Sequence, residues 1–128
     1  MADSADSFIP RGPAGMLKAL RWSLQGLWAA WRLEASFRLE VCLFLLLCPL
    51  GLWLGADVIE RVLLVGCLLL VLSAELLNSA IEAAVDRMGR EHNEFAGRAK
   101  DMGSAAVFVL MLNVIFCWAL ILGPRLLH

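Results

Sequence analysis

Apolar residues along this chain gather into three runs separated by short charged stretches. Val41 to Ala56 lies between Glu40 and Asp57, Val62 to Ala74 between Arg61 and Glu75, and Met102 to Pro124 between Asp101 and Arg125. At about 1.5 Å of rise per residue, only the third crosses a hydrocarbon core of roughly 30 Å unaided. The other two reach that length by recruiting flanking polar residues. The second, run from Val62 to Ile81, then carries Glu75 into the membrane. Pro49 is expected to kink the first run. The runs predict transmembrane helices over about residues 39–56, 61–82 and 102–123.

Upstream, Leu17, Leu20, Leu24, Leu27, Trp28, Trp31 and Phe37 recur at helical spacing, with Lys18, Arg21, Gln25 and Arg32 on other faces. This predicts an amphipathic helix over about residues 16–38 lying on the membrane surface. Its tryptophans suit the headgroup region and its basic residues suit anionic lipid. Residues 1–15 carry acidic side chains, two prolines and no apolar core segment, so they read as a disordered lead-in rather than a signal peptide. The expected fold is an all-α membrane protein, three transmembrane helices plus an N-terminal amphipathic surface helix, in a single domain over residues 16–128.

Composition narrows the class. A chain of 128 residues that is 61% hydrophobic and only 18% charged, with a mean hydropathy of +0.77, lies outside the range of an ordinary soluble domain. The net charge of -1, without a basic stripe interleaved with aromatics, gives no footprint for nucleic acid. Placement of charge says more than its sum. Arg11, Lys18, Arg21, Arg32 and Arg38 precede the first run and Arg87, Arg90, Arg98 and Lys100 separate the second from the third, against Arg61 and Arg125 on the other side. The N-terminus and the 87–100 loop are therefore expected in the cytoplasm, and the chain in the cytoplasmic (inner) membrane as a multi-pass protein.

The segment Ala74 to Arg87, AELLNSAIEAAVDR, holds the candidate chemistry. Glu75, Asn78, Glu82 and Asp86 fall within a helical stripe about 80° wide, with Ser79 beside it. Carboxylates are costly at membrane depth, and several on one face point to a cation or substrate site. Glu82 is expected at one membrane surface and Glu75 about 10 Å deeper. Glu34, at the start of the first run, joins Glu82 as a second hard oxygen ligand at that plane, a pair that suits Mg²⁺ carrying polyphosphate. Lys100 at the same level suits a phosphate, and Glu75 suits the proton of a substrate hydroxyl. Cys42, Cys48, Cys67 and Cys117 sit inside apolar runs without metal-ligand spacing, and neither His92 nor His128 belongs to a zinc or catalytic-triad pattern. No soluble nucleotide-binding signature is present.

Three blocks carry a resemblance. AAWRLEASFRLE at Ala29 to Glu40, AELLNSAIEAAVDR at Ala74 to Arg87 and EFAGRAKDMGSAAV at Glu94 to Val107 resemble, in order and separation, the diagnostic blocks of the small prokaryotic diacylglycerol kinases, membrane enzymes unrelated to soluble kinases. The likeness runs from about Leu27 to Gly123. It implies a homotrimer with active sites shared between subunits, phosphorylating diacylglycerol to phosphatidic acid with MgATP. By resemblance Glu75 is the general base and Glu34 and Glu82 are metal ligands. Trp22, Glu34, Glu82, Glu91, His92, Asn93, Lys100 and Asp101 fall at nucleotide-contacting positions. Ser23, Leu27, Trp31, Ala35, Trp53, Arg61, Glu75, Asn78 and Ser104 fall on the lipid side. One departure stands out: Gly15 lies where the family commonly has an arginine, so Arg11, Lys18 or Arg21 would have to supply that charge. Undecaprenol is the alternative lipid within the same family. Outside it, the rivals are a small ion-coupled transporter, which also suits a membrane-buried glutamate, and a non-catalytic lipid-binding or assembly protein.

Overall fold

The structure, a computed structural model, describes residues 12–127. It consists of α1 (Pro13–Leu33), α2 (Ala35–Leu54), α3 (Val58–Arg87) and α4 (Glu94–Leu126), and no strand occurs among the described residues. Three of these, α2, α3 and α4, are long and apolar enough to cross a membrane. The chain is a multi-pass membrane protein preceded by one further helix.

Local chemistry explains where each helix starts and stops. Pro13 stands in the first turn of α1, where its fixed φ is already helical and its missing N–H is no loss. Asp57 caps α3, its Oδ1 accepting from Glu60 N at 2.8 Å, and Asn93 caps α4, accepting from Phe95 N at 2.9 Å and Ala96 N at 3.2 Å. Gly89, at φ +113°, turns the chain out of α3 in a conformation that side chains with a Cβ rarely adopt. α2 continues through Pro49, and the expected kink does not interrupt it.

Boundaries differ from the sequence expectation at the N-terminal side. α1 begins at Pro13, so residues 12–15 of the expected lead-in are described, and Gly15 is buried; residues 1–11, including Arg11, lie outside the described residues. The surface helix stops at Leu33 rather than near residue 38, because Glu34 adopts an extended backbone (φ -115°, ψ 107°) between two helices. The apolar pattern runs straight through this point. At the break Arg38 caps the end of α1, its Nη1 donating to the Trp31 and Arg32 carbonyls at 2.9 and 3.1 Å. At the other helices the polar flanks extend the expected spans, since backbone groups leaving the hydrocarbon are satisfied most simply by further helical turns.

α3 is the centre of the bundle. Leu64, Cys67, Leu68, Val71 and Ala74 form its buried stripe, flanked by α2 and α4. α1 packs on the start of α2 and the second half of α3. Close approach depends on two glycines. A Cβ at Gly51 would stand 3.3 Å from Leu64 Cβ and 3.4 Å from the Trp118 ring, and one at Gly103 would collide with the Asn78 side chain. Trp118 spends its indole N–H on the Leu64 carbonyl at 3.1 Å. At the end away from the 88–93 loop, Arg125 pairs with Glu60 and donates to the Leu54 carbonyl at 3.0 Å, while Arg61 Nε donates to Leu52 O at 3.0 Å. The outer faces remain apolar, and the most apolar stretch of α4 buries none of its residues within the chain. Such faces are stable only against lipid or another protein surface.

Gly103→Ala should therefore lower stability by about 1–3 kcal/mol through overpacking against Asn78. Gly97→Ala, in the same helix with nothing within 4 Å of the new Cβ, should be neutral or stabilising. Reversible unfolding of both variants in one detergent system checks the contrast.

Candidate active site

The polar stripe of α3 is graded by depth. Glu75 and Asn78 are buried, at 6% and 9% relative exposure, Glu82 and Ser79 are half-buried and Asp86 is exposed. Among the described residues Glu75 is thus the carboxylate held furthest from water, one helical turn inside the point where α3 passes α1. Asn78 lies between neighbours on two helices. Its Nδ2 donates to Glu82 Oε1 at 3.4 Å, while its Oδ1, packed toward Gly103 of α4, is buried without a hydrogen-bond partner. An orphaned buried acceptor costs about 1–3 kcal/mol, so this position carries a polar side chain at the expense of stability.

Glu34 occupies the single extended residue between α1 and α2. It lines a cavity of about 540 Å³ between α1 and α3, together with Ser23, Leu27, Leu33, Leu76, Ser79 and Ala83. The lining is mainly apolar, which suits a lipid chain better than a nucleotide. Glu34, Glu40 and Glu82 all lie within electrostatic reach of Glu75. Four carboxylates thus crowd one region. The ion pairs among the described residues are Lys100 with Asp86 and Arg125 with Glu60, so none of the four carboxylates is ion-paired there, although Lys100 lies within electrostatic reach of Glu82.

A second cavity, of about 670 Å³ and more polar, opens at the α3–α4 loop. Asp86, Arg90, Glu91, His92, Asn93 and Lys100 line it. Lys100 Nζ pairs with Asp86 Oδ1 at 2.7 Å. That hydrogen bond, with the Asp86 charge behind it, holds the amine at the level where α4 leaves its apolar run. From the sequence Lys100 suits a phosphate alone, because Asp86 lies fourteen residues away and meets it only when the loop folds back. Asn93, read as a nucleotide contact, spends its side-chain oxygen on capping α4.

The structure therefore gathers Ser23, Leu27 and Glu34 at one cavity and Glu91, His92, Asn93 and Lys100 at another, with Glu75, Asn78 and Glu82 on the intervening helix. It does not gather the rest within one chain. Trp53 is exposed at the end of α2 and Arg61 sits at the start of α3, about 21 Å along the helix from Glu75. Asp101 and Ser104 are exposed on α4, Trp31 and Ala35 are exposed on either side of Glu34, and Trp22 is half-buried on α1. Glu40 is the acidic residue that the sequence reading passed over. It stands three residues after the buried Phe37, on the face of α2 that meets α3, and the sequence carries no signal that this face is the buried one.

Fold and site together define a small helical membrane protein with a carboxylate cluster where its helices leave the apolar layer. Comparison with known proteins narrows this class. The family model for prokaryotic diacylglycerol kinase matches residues 21–122. The diacylglycerol kinase of Escherichia coli K12 is 49% identical over 107 residues, covering 84% of this chain and 88% of that protein. Those of Haemophilus influenzae and Pseudomonas aeruginosa are each 45% identical, over 87% and 88% of this chain and 94% of theirs. The chain belongs to the prokaryotic diacylglycerol kinase family.

The carboxylate crowd has a measurable consequence. Glu40→Gln removes one like charge facing Glu75 and should raise stability by roughly 1 kcal/mol in the absence of divalent cation. The gain should shrink when Mg²⁺ is added. Unfolding midpoints with and without the ion test this, and a destabilised variant would show that Glu40 is held by an attractive contact instead.

Proposed function

We propose that this chain, acting as one membrane domain, transfers the γ-phosphate of ATP to the free hydroxyl of diacylglycerol, with Glu75 as general base. The chain is an ATP-dependent diacylglycerol kinase. The observation that carries the site assignment is the position of Glu75: buried, on a helix that has an apolar cavity on one side and half-buried Glu82 one step nearer the polar loop. A lipid lying in the α1–α3 cavity has its chains against Leu27, Leu33 and Leu76 and brings its hydroxyl toward the polar stripe. Glu75 then accepts the hydroxyl proton as oxygen attacks phosphorus and ADP leaves.

The donor set fits Mg²⁺. Glu34 and Glu82 offer hard carboxylate oxygens, and neither forms an ion pair among the described residues. No group of three His, Cys, Asp or Glu among the described residues forms a closed metal cage. Mg²⁺ needs none, because it keeps waters and takes one or two carboxylates together with substrate phosphates. When bound, the ion neutralises charge on the transferring phosphates. Lys100, fixed by Asp86 beside the Glu91–Asn93 segment, supplies a positive charge for the polyphosphate. Phosphoryl transfer needs little more than such positioning and charge, which is why no phosphate-binding glycine loop is required.

The exposed apolar faces of α2 and α4, and the scatter of Trp53, Asp101 and Ser104 away from the glutamates, support a homotrimer in which neighbouring chains complete each site. The basic residues of the 87–100 loop support a cytoplasmic placement of the glutamate end, in the inner membrane, where ATP is available. A carrier has no use for Lys100, Glu34 and Glu82 drawn to one end.

Glu75→Gln should reduce phosphorylation of diacylglycerol by more than about 10²-fold while leaving nucleotide affinity near the parent value. Activity within about tenfold of parent would remove Glu75 as base. The assay is run beside undecaprenol, and faster turnover of that lipid would reassign the substrate. Sharing between subunits is tested by unfolding Glu75→Gln and Lys100→Leu together and reassembling them. Mixed oligomers should recover activity that neither variant has alone, and mixed oligomers no more active than the separate controls would place both residues in one chain's contribution.

A further inference from the structure

The break between α1 and α2 releases backbone carbonyls. In an unbroken helix the Trp31 and Arg32 carbonyls would accept from the N–H groups of Ala35 and Ser36. With Glu34 extended, the ladder resumes on either side of it, through Glu34 N to Ala30 O at 2.9 Å and Arg38 N to Glu34 O at 3.1 Å. Trp31 and Arg32 are left facing outward, and both accept from Arg38 Nη1. A cation at a helix C-terminus is also favoured by the helix dipole. One guanidinium on the first turn of α2 therefore satisfies the end of α1 and fixes the angle between the two helices. Glu34 sits at the vertex of that angle with its side chain in the α1–α3 cavity.

We propose that Arg38 is a positioning residue for Glu34: by capping α1 it holds the one extended residue from which the Glu34 carboxylate enters the site. This rests on the reading of Glu34 as a metal ligand. Arg38 itself touches neither substrate nor metal in this scheme. Its bonds go to backbone carbonyls, and losing them lets α1 pivot or lets the helix close through Glu34, turning the carboxylate by about 100° per residue of register. Groups hydrogen-bonded directly to a ligand are worth about 10- to 100-fold in metal affinity; Arg38 acts through the backbone and is set at the lower end.

The test measures Mn²⁺ binding by electron paramagnetic resonance with a non-hydrolysable ATP analogue, so that the readout does not depend on turnover. Purified, assembled Glu34→Gln, Arg38→Gln, Arg38→Met and Arg38→Lys are compared with parent, and the KM for diacylglycerol is recorded alongside. Arg38→Gln should weaken Mn²⁺ about tenfold with little change in lipid KM. Arg38→Met, which keeps the apolar stem without donors, should do the same and serves if the glutamine variant does not fold. Arg38→Lys should stay within about threefold of parent, because both bonds come from a single nitrogen that an ammonium can replace. Parental Mn²⁺ affinity in Arg38→Met, which has no donor, with Glu34→Gln weakened, overturns the role of Arg38 and leaves the metal site standing. Parental affinity in Glu34→Gln overturns the metal reading and this inference with it. Equal losses in Arg38→Lys and Arg38→Met show that charge and donor are not what the site needs, and also overturn it.

Discussion

Ionised oxygen is out of place in hydrocarbon, and the rest of this structure is arranged around that cost. Glu75 is buried on the central helix, with three further carboxylates in electrostatic reach and, among the described residues, no ion pair to any of the four. Repulsion of this kind is relieved either by a bound proton or by a visiting cation. The lysine and arginine residues are placed around the cluster rather than in it: Lys100 on Asp86 toward the loop, Arg38 on the end of α1, Arg125 on Glu60 at the far end. The fold keeps basic side chains at its ends and leaves the middle of α3 acidic.

Asn78 connects this electrostatic arrangement to packing. Its amide reaches Glu82 on one side, and its oxygen faces the backbone of α4 at Gly103 on the other. Helix spacing and carboxylate orientation are therefore set by one residue. A larger residue at 103 would push on Asn78, and through it on Glu82. Glycine in α4 is a requirement of the site as well as of the helix pair.

Much of this was legible in the sequence because it obeys a period. The three spans follow from apolar runs, and the Glu75, Asn78, Glu82 stripe follows from helical spacing. Features that depend on contacts between distant residues were not legible. The interruption at Glu34 lies in a stretch whose hydrophobic pattern continues unbroken, and the carbonyls it exposes are capped by Arg38. Glu40 looked like the polar flank of an apolar run until the packing of Phe37 turned that face toward α3. The Lys100–Asp86 pair needs the loop to reverse the chain. Trp53, Arg61 and Ser104 are the other side of this: family resemblance places them at the substrate, and a single chain does not bring them there.

α4 runs without interruption from its cap at Asn93 past Lys100 and Gly103 into the apolar run. Lys100 and Gly103 are three positions apart, so they share the face that meets α3, one at Asp86 and the other at Asn78. No loop lies between them to absorb a change of length. Inserting or deleting one residue there would rotate one contact against the other by about 100°. Evolution can therefore alter the length of the 88–93 connection far more readily than that of the helix that follows it, and insertions and deletions among relatives should collect on the loop side of Asn93.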